Sequence, residues 1–317
     1  MDSICFRALK TIKRNVAYFK SDYKKERIRN KTTLNQDKTI YIIRRIGNSG
    51  FFSNFFYVLG HIVYAQKKNY IPVVDMENYK TLYNEDFLCK GTKNAWEYYF
   101  KEKSGITLTD AYKSRNVILS DNYYLSQYVP SYVGFKESLL TSKDITTLHD
   151  VFFKYNEIAP EILETQDAYV KENFGETTIG IHLRGSDMFD CKGHPKPAEV
   201  DNFLKKLDDI IENNSEAKIF LCTDENHYVS LLKEKYGEKV LTRDVYRSND
   251  HAGKGIHLED NQNIREYHKY NLGLEVLLDS LILSKCQYLI YGNSNVPLSA
   301  IIFNNNQFKK TIHISNN

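Results

Sequence analysis

Thr177-Thr-Ile-Gly-Ile-His-Leu-Arg-Gly-Ser-Asp187 reads as a buried strand that stops in a turn carrying one cation, one hydroxyl and one carboxylate. Side chains alternate faces along a strand, so Ile179, Ile181 and Leu183 point one way and Gly180, His182 and Arg184 the other. A His and an Arg therefore share one face at the carboxyl end of an apolar strand. In an open α/β sheet, ligands bind at that end. Arg carries a permanent charge and a planar fork of donors that suits phosphate. The stretch predicts an anion site, with the diphosphate of a nucleotide as its anion. The charge of Arg184 favours a neutral His182, which is a base, a phosphate donor or a satisfied core histidine.

Downstream, the pattern predicts a helix over 198–213, a strand over 218–224, a helix over 227–236 and the start of a strand at Val240-Leu241. A long polar stretch, 243–268, precedes a helix over 271–286, a strand over 288–291 and a helix over 296–303. Three of these strands end in polar clusters: Arg184-Gly-Ser-Asp187, Thr223-Asp224-Glu225 and Gly292-Asn-Ser-Asn295. In a parallel sheet all three ends share one edge. One such ending is ordinary turn chemistry, whereas three on one edge suit a ligand crevice.

The helix expected over 271–286 is apolar around most of its circumference, yet it contains Glu275 and Asp279, four apart on one face. A buried carboxylate is costly unless paired. Asp279 either accepts hydrogen bonds from a ligand, for example the N1–H and 2-amino group of guanine, or pairs with Arg265 or Lys285. Glu275 suits the structural role.

Upstream, Ile40 to Arg45, the turn Gly47-Asn-Ser-Gly50, a helix over 51–67 and Ile71-Pro-Val-Val74 make a βαβ unit. Residues 75–132 are irregular and aromatic, and 142–170 is helical with a break at Pro160. Alternating elements favour parallel, doubly wound sheets. The α/β chain then divides into a first Rossmann-like unit over 38–165 and a second over 166–317, facing each other across a cleft. Residues 1–37 stand apart as a basic helical extension. Leu9, Ile12, Val16 and Phe19 recur at helical spacing among lysines and arginines. Such a stripe either lies on an anionic membrane face or packs on its own domain.

A length of 317 residues allows two ordinary domains or one large one. A net charge of +3 implies no general nucleic-acid surface. The five cysteines are odd in number and lack CxxC pairing, which argues against a disulfide scaffold or zinc site and for a reducing compartment. No apolar run reaches membrane-spanning length and no leader is legible, so a cytoplasmic location is expected. The nine histidines show no metal-ligand spacing. Asp75-Met-Glu77 only superficially resembles a short acidic metal motif. A GxxxxGK[ST] loop and a GxSxG turn are both lacking.

Ile179-Gly-Ile-His-Leu-Arg-Gly-Ser-Asp187 closely resembles the first motif of fucosyltransferases. Protein O-fucosyltransferases carry a similar His-Leu-Arg-x-Gly-Ser-Asp run, one residue longer after the Arg. The α1,6-fucosyltransferases carry His-x-Arg-x-x-Asp at the spacing found here. Ile219-Phe-Leu-Cys-Thr-Asp-Glu225 is similar to their second motif. Glu275 to Ser284 with Tyr288-Leu-Ile-Tyr-Gly-Asn-Ser-Asn295 is similar to the third. The resemblance spans roughly 177–303. Gly47-Asn48 resembles the glycine-rich first turn of the same superfamily but continues differently, with Ser-Gly-Phe-Phe.

The resemblance implies a GT-B fold and inverting, metal-independent transfer from a nucleotide sugar, most often GDP-fucose, to a glycan acceptor. No cofactor is implied beyond that donor. By position, Arg184 would hold the β-phosphate and His182 would support the donor. Ser186, in the same turn, would also bind the donor. Thr223 and Asp224 would line the nucleotide pocket, Asp279 would read guanine, and Ser294 and Asn295 would touch phosphates. The acceptor base would be Asp190, with Asp187 as second choice. Asn48 and His194 would lie on the acceptor side. The acceptor expected is an oligosaccharide or lipid-linked glycan of a bacterial surface polysaccharide, such as capsule or lipopolysaccharide, met at the inner face of the membrane. Two other readings of the same pocket remain: transfer of a phosphoryl-linked, non-sugar group from a nucleotide carrier, and a non-catalytic nucleotide-binding scaffold.

Overall fold

The computed structural model describes residues 25–45, 49–125, 127–129, 140–185, 198–249 and 265–315. Asn48, Ser186, Asp187, Asp190 and His194, together with the basic stripe before residue 25, lie outside the described residues.

In chain order the first half holds β1 (Arg27–Arg29), β2 (Thr39–Arg44), α1 (Phe51–Lys67), β3 (Ile71–Asp75), β4 (Phe100–Glu102), α2 (Leu108–Lys113) and β5 (Asn116–Leu119). Next come α3 (Ser142–Tyr155), β6 (Asn156–Ile158) and α4 (Pro160–Asn173). The second half holds β7 (Thr178–Leu183), α5 (Val200–Ile211), β8 (Lys218–Thr223), α6 (Asn226–Tyr236), β9 (Val240–Leu241), α7 (His268–Leu283), β10 (Tyr288–Tyr291), α8 (Asn295–Asn304) and β11 (Lys310–His313).

The fold is mixed α/β with two largely parallel sheets. The first has the order β1-β5-β2-β3, with β2 parallel to both β3 and β5 and β1 antiparallel on β5. The second has the order β11-β10-β7-β8-β9, every neighbour parallel. From β7 the chain steps outward to β8 and β9 on one side, then returns to lay β10 and β11 on the other. At that reversal the connections from β7 and β10 lead to opposite sides of the sheet, the place where open parallel sheets bind ligands.

Burial follows strand parity. Ile179, Ile181 and Leu183 of β7 join Ile219 and Leu221 of β8 under Phe203, Leu207, Tyr228 and Leu232 of α5 and α6. Phe220, Cys222, Leu289 and Tyr291 face the other way, toward α7 and α8. The same split occurs at β2, where Ile40 and Ile42 enter one cluster and Tyr41 and Ile43 another. The larger cluster runs without interruption from the first sheet through α1, α3, α7 and α8 to the second sheet.

The sequence suggests one apolar face for α1, but 14 of its 17 residues are buried, so it is a central helix. Phe55 lies 5.2 Å from Phe152 of α3 and 5.5 Å from Phe303 of α8, ring centre to ring centre. At the other end of the layer, Tyr99 Oη donates to Tyr270 O (2.9 Å) and the two rings stack at 5.5 Å. Glu85 Oε1 accepts from Tyr270 N (2.8 Å). The loop before β4 thereby fixes the first turn of α7.

Several sequence expectations are corrected. Part of the extension expected to be helical over 1–37 is strand: Arg27–Arg29 pairs with β5, because Ile28 has an apolar cluster to cover. The helical stretch 142–170 breaks before Pro160 as expected, but the break holds a strand, β6. Asn156 leaves the helix to pair with Glu102 and to accept from Trp96 Nε1 (3.1 Å), a tertiary pairing that overrides local propensity. Strands β1, β4, β5, β6 and β11 are too short for a periodic signal. Among the described residues no helix is long and apolar enough to cross a membrane.

Gly273 of α7 sits directly against Tyr99 Oη and 3.1 Å from Phe51 Cδ2 at the position a Cβ would occupy. Gly273→Ala is therefore expected to lower stability by about 1–3 kcal/mol through overpacking, despite the better helix propensity of Ala. A denaturant midpoint unchanged or raised in this variant would contradict the close approach of α7 to the Tyr99 loop.

Candidate functional site

The site is built in rows on the α7-facing side of β7 and β8. In the lowest row Gly180 opposes Phe220. A Cβ on Gly180 would lie 2.9 Å from Leu283 Cδ2 and 3.1 Å from Cys286 Sγ, so only glycine lets α7 approach this closely. In the next row His182 opposes Cys222 on one side and Tyr291 on the other. Arg184 and Asp224 make the third row, just past the paired residues.

That third row is an ion pair. Arg184 Nη1 donates to Asp224 Oδ2 (2.6 Å), and Gly185 N donates to Asp224 Oδ1 (3.0 Å). One carboxylate thus holds both the guanidinium and the backbone that carries it. Gly185 in turn lies against the buried Glu225 carboxylate, leaving no room for a side chain. The Arg184 side chain is about one-quarter exposed. Asp224, expected to line a nucleotide pocket, positions Arg184 through both oxygens. Thr223, given the same role, turns the other way: its hydroxyl accepts from Glu225 N (3.3 Å).

His182 is almost completely buried, and its Nδ1 has no hydrogen-bond partner among the described residues. Burial pushes its pKa down to about 4, with Asp224 opposing and Arg184 assisting, so the ring is neutral at pH 7. Across the reversal of strand order, Ser294 Oγ accepts from Val296 N (3.3 Å) and caps α8. Asn295 Oδ1 is buried and also lacks a partner among the described residues. Two unsatisfied buried polar atoms, each costing about 1–3 kcal/mol if left so, therefore lie in elements that flank the crevice.

Asp279 reaches the second row from α7. Its Oδ1 accepts from Arg243 Nη1 (2.9 Å), while among the described residues Oδ2 has only Cys222 Sγ at 3.7 Å. Burial raises its pKa and Arg243 opposes the rise. The pairing partner is thus Arg243, whereas Arg265 makes two hydrogen bonds to Glu275, at 2.5 and 2.8 Å. Glu275 has the structural role expected of it.

Three arginines escape the sequence reading. Arg243 and Arg247 come from the polar stretch after β9. Arg247 donates to Thr223 O (3.2 Å), Thr242 Oγ1 (2.6 Å) and Arg243 O (2.9 Å), tying that stretch to the end of β8. Arg45 follows β2, where the first sheet has its own reversal between β3 and β5. It donates to Asn54 Oδ1 (3.0 Å) and Ser49 Oγ (2.8 Å) and lies 4.5 Å from the Tyr57 ring centre. Nothing local separates these arginines from surface ones; their partners are visible only in three dimensions.

The segment after β3 lies against the start of α1. Burial pushes the Tyr83 phenol well above its ordinary range, against the pull of Arg184. Tyr83 packs edge-on to Phe51 at the start of α1 (5.4 Å). Asp75 accepts from Glu77 N, Asn78 and Tyr112 Oη, a turn-capping role. Among the described residues no group of three His, Cys, Asp or Glu side chains is placed to hold a metal.

No protein-family model matches the chain, and no curated protein matches it. Solved structures are similar to it over most of its length. NodZ alpha-1,6-fucosyltransferase soaked with GDP-fucose, a protein solved from Bradyrhizobium, aligns at a TM-score of 0.47 and 16% identity, covering 84% of this chain and 93% of that one. POFUT1 in complex with GDP aligns at 0.49 and 9% identity, covering 87% and 98%. A point mutant of Arabidopsis thaliana FUT1 in complex with GDP aligns at 0.43 and 13% identity, covering 85% and 70%.

His182 has a folded pKa near 4, below its ordinary 6.5, and His61, buried on α1, is pushed by burial to about 3. Between pH 6.5 and 4 the unfolded chain binds protons at these positions that the folded chain does not, so both remove stability as pH falls through that window. His182→Gln should therefore gain stability relative to wild type as pH drops from 6.5 to 4. Parallel denaturation midpoints for the two proteins across that range would refute the buried neutral ring.

Proposed function

We propose that this chain is a fucosyltransferase-like glycosyltransferase of GT-B architecture, with residues 38–165 on the acceptor side and 166–317 on the donor side. It transfers a 6-deoxyhexose, most simply fucose, from its GDP-sugar to a glycan acceptor, with inversion and without a metal. The observation that carries this reading is the placement of Arg184 and the Asn293-Ser-Asn295 turn on either side of the strand-order reversal in a fully parallel sheet. A diphosphate in that crevice meets a fixed guanidinium from β7 and the amino end of α8, whose dipole favours an anion.

In the reaction the acceptor oxygen bonds to the anomeric carbon while the bond from that carbon to the β-phosphate oxygen breaks. Negative charge develops on the departing diphosphate. Arg184, already oriented by Asp224, neutralises it without reorganisation at the moment of reaction. The neutral His182 ring offers a hydrogen bond to the donor without adding a competing charge. The acceptor proton passes to a carboxylate in the sequence after Arg184, Asp190 in the first instance and Asp187 in the second. Arg45 supplies a second cation from the first sheet. The basic segment before residue 25 holds the enzyme at an anionic membrane face, where a lipid-linked acceptor of a bacterial surface polysaccharide is found.

Arg184→Ala is expected to lower kcat by at least about a hundredfold, and Arg184→Lys to restore little of it, because a point charge does not replace the fork. Full activity of the Lys variant would refute the assignment. A thermal-shift panel of GDP, UDP, CDP and ADP should show the largest rise in melting temperature with GDP. EDTA should leave turnover unchanged; loss of turnover restored by Mn²⁺ would overturn the metal-free reading.

A further inference from the structure

Arg243 is held in place more firmly than neutralising Asp279 requires. Its side chain is only 13% exposed, and Nη1 bonds at once to Asp279 Oδ1 and to Glu275 O, each at 2.9 Å. Its own carbonyl is held by Arg247, which is anchored to the end of β8. Both hydrogen bonds that Arg243 makes among the described residues leave from Nη1. Nε and Nη2 remain as donors. Asp279 Oδ2 remains as an acceptor, with a long Cys222 Sγ contact alone among the described residues. A rigid donor and a rigid acceptor thus lie side by side at the second row of the site.

We propose that Arg243 is a specificity-determining residue, donating to the 6-oxo group of a guanine base while Asp279 accepts from its N1–H and 2-amino group. The assignment rests on the guanine-nucleotide reading above. The order of donor and acceptor decides it. Guanine presents an acceptor at O6 next to donors at N1 and N2, complementary to the guanidinium–carboxylate pair. Adenine presents a donor at position 6 next to an acceptor at N1, which places like against like at both contacts. A well-placed charged contact of this kind discriminates between bases by about tenfold to a hundredfold.

The test is calorimetric binding of GDP, 6-thio-GDP, IDP and ADP to wild-type protein and to Arg243→Met, which keeps the stem and removes the donors. The thio analogue retains N1–H and the 2-amino group and replaces O6 with a weak acceptor; IDP lacks only the 2-amino group. Wild type is expected to bind GDP at least about tenfold tighter than 6-thio-GDP. Arg243→Met should close that gap to within about threefold while keeping the preference for GDP over IDP, which belongs to Asp279. A variant that weakens all four ligands equally and keeps the gap overturns the proposal, because Arg243 then only neutralises Asp279. The wild-type comparison stands without any variant: equal affinity for GDP and 6-thio-GDP also overturns it. Wild type that binds none of the four overturns the nucleotide reading itself.

Discussion

All five strands of the second sheet run the same way, and this constraint places every strand-end residue on one edge. Parallel neighbours need long crossovers, and those crossovers cover both faces, so the edge is the open part of the sheet. The reversal between β7 and β10 then separates two loops that would otherwise be bridged. Arg184 and the amino end of α8 border that gap because of the strand order, not because of any attraction between them.

The charges at this edge are set before a ligand arrives. Asp224 engages Arg184 through one oxygen and the following backbone through the other. Asp279 and Glu275, both on an otherwise apolar helix, are matched by Arg243 and Arg265. An isolated carboxylate in such a helix would be strongly destabilising, and removing either partner would leave the other charge buried. Pairing therefore fixes geometry more than it adds stability. Donors already aimed at a developing charge are worth more than donors that must turn toward it.

The long, strongly patterned elements were legible from the residues alone. The helix over 51–67, the strands at 178, 218 and 288, and the buried helix carrying Asp279 appear within a few residues of their expected ends. The shorter strands were not. Asn116–Leu119 and Lys310–His313 are as short as Tyr288–Tyr291 but lack the patterned helices that frame it on both sides, and both are strands because a neighbour offers hydrogen bonds. At the site, His182 and Arg184 could be picked out because strand parity puts them on one face. Arg243 and Arg247 could not, since they lie in a polar stretch with no local pattern.

The sequence by itself determined the alternation of strands and helices, the parity that puts Gly180, His182 and Arg184 in one line, and the cost that a carboxylate at 279 must offset. These are consequences of backbone geometry and side-chain chemistry within a few residues. Only the tertiary structure decided the strand order and the partner of each charge. Arg184 and Asp224 are 40 positions apart, and Arg243 and Asp279 are 36 apart. Which of many arginines meets a given carboxylate depends on how the crossovers return to the sheet, and no local rule contains that information.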